Sequence, residues 1–218
     1  MKGIALITGI NRAFDEKLSV AFVREGFRVF ALGDKPVNGV ALLGSDIKEA
    51  VFSLDKQEGK LDFLLDTTDI SDPKDDFTIR GGLDAIIIEK LYRDNVIRSM
   101  TLLEAFLPLL EKGGGKRLFY ITSAKASINE TCSKANFAYN MSKAALHQFL
   151  QMARNKLAPN GYTFRVFDPL YDEVSSEAAA ESAYNYITRR RGTENHNPLR
   201  DDEGNLVFRD AFGRQHSW

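Results

Sequence analysis

Short apolar runs alternate along this chain with longer amphipathic ones. Runs at residues 4–7, 28–32, 40–43, 61–65, 117–121, 164–167 and 206–208 predict seven strands. Most lack strict alternation of apolar and polar positions, as strands covered on both faces do. Between them, Phe14, Leu18, Ala21 and Phe22 fall on one helical stripe, as do Ile47, Val51 and Leu54. Two later stripes are Val96, Met100, Leu103 and Leu107, then Met141, Ala145, Phe149 and Met152. Helix stops are legible at Lys112 followed by Gly113, Gly114 and Gly115, and again at Pro159, Asn160 and Gly161. This β and α alternation predicts an α/β domain with a doubly wound parallel sheet of about seven strands and helices on both faces. The stretch 189–218 is polar and irregular apart from 206–208, and is expected to form a tail ending the single domain 1–218.

Composition narrows the classes of function. The 218 residues carry 29 Lys+Arg against 30 Asp+Glu, a formal net charge of −1, with 44% hydrophobic residues. A near-neutral balance gives no long-range pull toward nucleic acid or an anionic membrane surface, so neither is an expected partner. One cysteine excludes an internal disulfide framework and a cysteine cluster for zinc, and no metal site is expected. No run approaches the ~20 apolar residues of a spanning helix, and a cytoplasmic location is expected. Cys132 reads as an unreactive loop thiol, and His147 as a surface or subunit-contact residue. His196 and His216 are isolated in the polar tail, and Arg189, Arg190 and Arg191 suit a helix C-terminus.

Two segments carry candidate chemistry. The first strand runs into Thr8-Gly9-Ile10-Asn11-Arg12-Ala13-Phe14-Asp15 and then a helix. A turn of this kind can hold a pyrophosphate against the helix N-terminus, where free N–H groups and the helix dipole favour an anion. The same pattern arises at any strand-to-helix turn, so this segment alone leaves both readings open. Downstream, Tyr139 and Lys143 lie at i and i+4 on one predicted helix and follow Ser123 at a strand end. A phenol titrating near ~10 must be brought toward neutrality to serve as acid or base, and a fixed lysine cation does so by favouring the phenolate.

The turn, the strand-end serine, the Tyr-x-x-x-Lys helix and Asp168-Pro169 occur in the order of the short-chain dehydrogenase/reductase family, which the chain resembles over nearly its whole length. Asn95-Val96, with Ala105 and Pro108-Leu109-Leu110, resembles the helix carrying that family's asparagine. The resemblance implies a Rossmann-like fold and a tetrad of Asn95, Ser123, Tyr139 and Lys143. By the same resemblance Tyr139 exchanges a proton with the substrate oxygen and Ser123 hydrogen-bonds that oxygen. Lys143 would hold the ribose and lower the tyrosine pKa, and Asn95 would support a water-linked proton path. The implied reaction is hydride transfer between a nicotinamide and a small-molecule carbonyl or alcohol. A homodimer or homotetramer is expected through the helices spanning residues 95–111 and 137–157.

Placing the fourth strand at 61–65 rather than 83–88 leaves room for a helix at 76–92 before Asn95. Asp66, Thr67, Thr68 and Asp69 then replace the family's Asn-Asn-Ala-Gly, and residues 33–39 alone join the second and third strands. The implied cofactor contacts are Gly9, Asn11, Arg12, Phe14, Gly33, Asp34, Asp46, Ile47, Asp66, Thr67 and Pro169, with Tyr139 and Lys143. Arg12, assisted by Lys35, leans the choice toward NADP, whereas Asp34 suits the ribose of NAD. The departures concentrate on the cofactor side: Ala13 and Asp15 replace two glycines, and Leu170 replaces the glycine after Pro169. Asp15 repels a pyrophosphate unless it turns back to cap its own helix. A weakened cofactor site, or a nucleotide-sensing or scaffold protein without turnover, is therefore the alternative expectation. A sugar-nucleotide epimerase shares Tyr-x-x-x-Lys but needs a larger C-terminal domain. The short link 169–175 predicts an open substrate site.

Overall fold

In the computed structural model, residues 1–75, 82–189 and 205–218 are described. Eight strands form one sheet: β1 (Ile4–Ile7), β2 (Arg28–Ala31), β3 (Val40–Leu42), β4 (Phe63–Asp66), β5 (Arg117–Ile121), β6 (Thr163–Asp168), β7 (Phe208–Asp210) and β8 (Gln215–His216). Their order is β3-β2-β1-β4-β5-β6-β7-β8, parallel throughout except for the antiparallel β7–β8 pair. Among the described residues are six α-helices, α1 (Ala13–Arg24), α2 (Ile47–Glu58), α3 (Ala85–Tyr92), α4 (Arg98–Lys112), α5 (Phe137–Leu157) and α6 (Ser176–Thr188); α3 packs on α5 and the others cover both faces.

The period-two geometry of strands divides the core. Ile4 and Leu6 of β1 face α2, α4 and α5, joining Leu54, Phe106 and Leu150 in one apolar cluster. Ala5 and Ile7 face α1 and α6, joining Phe14, Phe22 and Ile187 in the other. Strands buried on both sides need apolar residues at consecutive positions, which explains the unbroken runs in the sequence.

Several expectations are corrected. The helix expected at 76–92 begins at Ala85, because the Asp84 side chain accepts from the Ile86 and Ile87 N–H groups as its cap, and residues 76–81 lie outside the described set. The stretch after residue 205 is a β-hairpin on the sheet edge, so the sheet has eight strands. β7 starts at Phe208, two residues later than the start expected at 206. On α5 the buried stripe is Ala138, Ser142, Leu146 and Leu150, whereas Met141 and Met152 are exposed. Residues 32–39 contain no helix, and Gly33 bridges to Gly44. The glycine run after α4 is a close approach as well as a helix stop. A Cβ on Gly113 would fall 1.8 Å from the Leu61 carbonyl oxygen, and the Gly114 and Gly115 N–H groups donate to Asp62 at 2.8 and 3.1 Å.

Candidate active site

The strand order reverses between β1 and β4, and open α/β sheets bind ligands in the crevice at the carboxyl edge beside such a reversal. Two cavities lie there. One, of about 320 Å³, is lined by Thr8, Gly9, Asn11, Thr67, Ile70 and Arg98. The other, of about 700 Å³, is lined by Ser123, Asn136, Tyr139, Asp168, Leu170 and Tyr171. Arg12 and Asp69 line both, so this pair forms the partition between them.

Tyr139 is placed from a distance in sequence. Asn136, in the left-handed region at φ 56°, gives α5 no side-chain cap. The buried Asp75 carboxylate serves instead, accepting from the Ala138 N–H at 3.1 Å and the Tyr139 N–H at 2.8 Å. Lys143, one turn later, is fully buried. Its Nζ donates to the Thr68 carbonyl at 2.9 Å and the Ile121 carbonyl at 3.2 Å, and lies 3.1 Å from Asp69 Oδ1.

Asp69 is the hub of the site. Tyr139 Oη donates to its Oδ1 at 2.7 Å, and Arg12 Nη1 pairs with its Oδ2 at 3.1 Å while Nη2 donates to its main-chain carbonyl. Burial works against ionisation of Asp69, but Lys143 and Arg12 outweigh it and hold the carboxyl below its usual range. The same carboxylate acts on Tyr139. Burial first, and then Asp69, raises the phenol pKa well above its usual value. The lowering expected from Lys143 is therefore not realised in this arrangement, because the ammonium already faces an anion.

Ser123 follows β5, is half-buried, and accepts from the Lys125 N–H at 3.3 Å as the cap of a short 3₁₀ turn. It lines the larger cavity with Tyr139. Asn95 does not reach either cavity. It lies fully buried in a π-helical turn, Arg93–Ile97, accepts from the Ile70 N–H, and donates to the Ile70 carbonyl and Ser142 Oγ at 2.8 and 3.0 Å. Its observed task is to clamp the backbone next to Asp69.

The glycine-turn residues are likewise engaged internally. Asp15 turns back, as its capping alternative requires, and its Oδ2 accepts from the Asn11 and Arg12 N–H groups at 3.1 and 2.9 Å. Burial pushes this carboxyl up to about 6. Asp66 accepts from Thr8 Oγ1 and the Thr68 N–H, while Thr67 Oγ1 donates to the Gly9 carbonyl, so these residues lock β1 to β4. Phe14 is buried against Phe167 and Tyr171, which leaves only its main chain for a ligand. Gly33 and Asp34 follow β2, Asp34 being exposed, and Pro169 is buried after β6. Asp46 caps α2 by accepting from the Glu49 N–H, and Ile47 packs on the core. Lys35 is exposed and pairs with Glu16 at 2.9 Å, while Arg12 turns inward onto Asp69.

Three contributors carried no clear signal in the sequence: Asp69 as hub, Asp75 as cap, and Tyr171. The Tyr171 ring lies 4.9 Å from the Arg12 guanidinium, which also donates to its hydroxyl at 3.2 Å. It is held there by Leu170, whose φ of 52° keeps the left-handed backbone that a glycine adopts freely, at a cost of ~1–2 kcal/mol. Asp168 steadies the same corner by accepting from the Ala124 and Leu170 N–H groups.

Two histidines are also corrected. His147 is buried rather than at the surface, hydrogen-bonded to Thr122 and packed on Trp218, and burial lowers it to about 3. His216 is not isolated, since it bridges Glu130 at 2.9 Å and Asp210 at 3.0 Å. Cys132 is exposed; His196, Arg190 and Arg191 lie outside the described residues. Among the described residues no cluster suits a metal ion, and no helix is long and apolar enough to cross a membrane.

No family model matches the chain. A curated protein, the C-signal of Myxococcus xanthus, is 27% identical over 89 residues, which are 41% of this chain and 54% of that protein. The chain thus matches about half the length of that relative. Solved structures match throughout. The carbonyl reductase Sniffer of D. melanogaster superposes with a TM-score of 0.83 at 17% identity over 100% of both chains. The NADPH-bound carbonyl reductase from chicken fatty liver gives 0.81 at 17% identity over 98% of both. A Pseudomonas aeruginosa PAO1 carbonyl reductase in complex with NADP gives 0.78 at 18% identity, over 99% of this chain and 100% of that one. At such identities the likeness speaks for architecture. The chain has the fold of the short-chain dehydrogenase/reductases.

Proposed function

We propose that the protein is a pyridine-nucleotide-dependent oxidoreductase of the short-chain dehydrogenase/reductase type, acting on a small carbonyl or alcohol. The observation that carries this reading is the convergence of Arg12, Tyr139 and Lys143 on one acceptor group at the sheet's reversal point. A dinucleotide offers acceptors of the same kind in its ribose hydroxyls and phosphates, so the donor set fits it. Gly9 adds bare backbone at the turn, since a Cβ there would come 3.0 Å from Asn11 Nδ2.

When bound, NADP(H) supplies or accepts the hydride. Tyr139 Oη holds the proton that passes to the carbonyl oxygen during reduction. Burial and the Asp69 carboxylate hold the phenol protonated in this arrangement; with that carboxylate turned away, the Lys143 ammonium over the Tyr139 ring acts to bring the phenol back toward the working range of an acid. Ser123, on the wall of the same cavity, donates a hydrogen bond to the same oxygen. Lys143 Nζ and Arg12 hold the nucleotide, and Arg12, once turned from Asp69 toward the ligand, favours NADP(H) over NAD(H). Asn95 is a positioning residue that fixes Ile70. Exposed Ile97, at the end of the π-turn, with Met100 of α4 and Met141 and Met152 of α5, supports a homodimer or homotetramer.

The test is NADPH oxidation against a panel of aldehydes and ketones. Tyr139→Phe is expected to lose at least ~100-fold in kcat, a larger effect than on NADPH affinity, in line with removal of a general acid. A variant as active as the parent would remove Tyr139 from the chemistry. A second reading, a nucleotide-binding or scaffold protein without turnover, is favoured by Asp15 and Asp69, whose carboxylates engage the donors. It predicts no oxidation of NADPH with any carbonyl.

A further inference from the structure

The Arg12–Asp69 pair stands between two cavities that a dinucleotide must span, with its phosphates at the α1 turn and its reactive end beside Tyr139. The Asp69 side chain is only 8% exposed and accepts from three donors, Arg12 at the α1 N-cap and Tyr139 and Lys143 of α5. Its backbone is fixed as well. Arg12 donates to the Asp69 carbonyl, and Asn95 holds both main-chain polar groups of Ile70. The carboxylate therefore leaves this position by side-chain rotation rather than by a shift of the loop.

We propose that Asp69 is an internal competitor for the nucleotide and the residue that sets its affinity: its carboxylate occupies the Arg12, Tyr139 and Lys143 donors that the ligand needs and closes the groove between the two cavities. This rests on the dinucleotide reading above. Charge adds to occupancy. With Asp69 in place, Arg12 and Lys143 are offset by a nearby anion, and two ligand phosphates approach a third negative group. Replacing the carboxylate with an amide keeps one acceptor for Lys143 or Tyr139, removes the charge, and leaves both cations free to attract phosphate. Tyr171 stacks on Arg12 across the same gap, so turning Arg12 outward to meet a phosphate also opens the wall of the larger cavity.

The experiment is fluorescence titration of NADPH into the parent, Asp69→Asn and Asp69→Ser, each checked for folding by circular dichroism. Affinity at least tenfold higher in the folded variants is expected, and added acetate is expected to weaken NADPH binding to Asp69→Ser more than to the parent by refilling the vacated acceptor position. Equal affinity in parent and variants overturns the competition while leaving the dinucleotide reading intact. Weaker binding in the variants also overturns it, since Asp69 would then assist the ligand. Absence of binding in all three chains removes the dinucleotide reading and this inference with it. If Asp69→Asn does not fold, Asp69→Ser decides with the acetate arm.

Discussion

Asp15 shows how a single residue can serve the fold against the ligand. Its carboxylate caps α1 through the Asn11 and Arg12 N–H groups, yet burial raises its pKa to about 6 from an unfolded value near ~3.9. The direction of the pH effect follows. Below the unfolded value both states are protonated and the group carries no penalty; as pH rises through the folded value, the ionised carboxylate opposes folding by roughly 2–3 kcal/mol. Asp15→Asn, which keeps the accepting oxygen, is expected to raise the melting temperature near pH 7.5 and to change it little near pH 3.5. An equal shift at both pH values would show that the charge is not responsible. This turn was legible in the sequence down to the alternative that Asp15 caps its own helix. Tyr139 and Lys143 were legible because i and i+4 spacing fixes them on one face. The hub at Asp69 was not, because it depends on side chains from the α1 N-cap, the loop after β4 and α5 meeting in one rotameric arrangement. No local pattern encodes that meeting.

At the scale of elements, the placement of α5 decides the site. Its first turn is capped by Asp75 from a loop more than sixty residues earlier in sequence, through bonds at 3.1 and 2.8 Å. Asp75→Ala leaves two buried N–H groups without a partner and is expected to cost ~2–3 kcal/mol in chemical denaturation. It should also lower kcat more than it raises KM for NADPH, since the Tyr139 main chain is displaced while Arg12 is not. A loss of less than ~0.5 kcal/mol would mean that water replaces the cap. All seven predicted strands were legible to within two residues, because burial on both faces demands unbroken apolar runs. The helix stripes were less so: on α5 the predicted stripe runs along the margin of the buried face, with Ala145 and Phe149 half-buried against the core and Met141 and Met152 exposed. Periodicity alone cannot tell the margin of such a face from its centre. The edge hairpin β7–β8 was obscured by its short strands and charged residues, such as Arg209 and Arg214, which suit an exposed sheet margin.

For the whole molecule, the outer apolar faces of α4 and α5 have a consequence for assembly. Met141 and Met152 are 52% and 62% exposed, and Ile97 and Met100 extend the apolar surface on the neighbouring helix. Exposed apolar surface of this kind favours association. Light scattering is expected to give two or four times the 24.4 kDa chain mass, and Met141→Glu combined with Met152→Glu to lower it. A monomeric parent would contradict the assembly. The near-neutral net charge also takes on a local meaning. Acidic residues Asp15 and Asp69 sit where a phosphate-binding fold needs positive potential, and each is held by the donors it faces. All of this depends on the groove accepting a dinucleotide. Calorimetric titration of the unmodified chain with NADPH and, separately, NADH tests that most directly. One nucleotide per chain is predicted, with NADPH bound more tightly than NADH; no binding of either at millimolar concentration would contradict it.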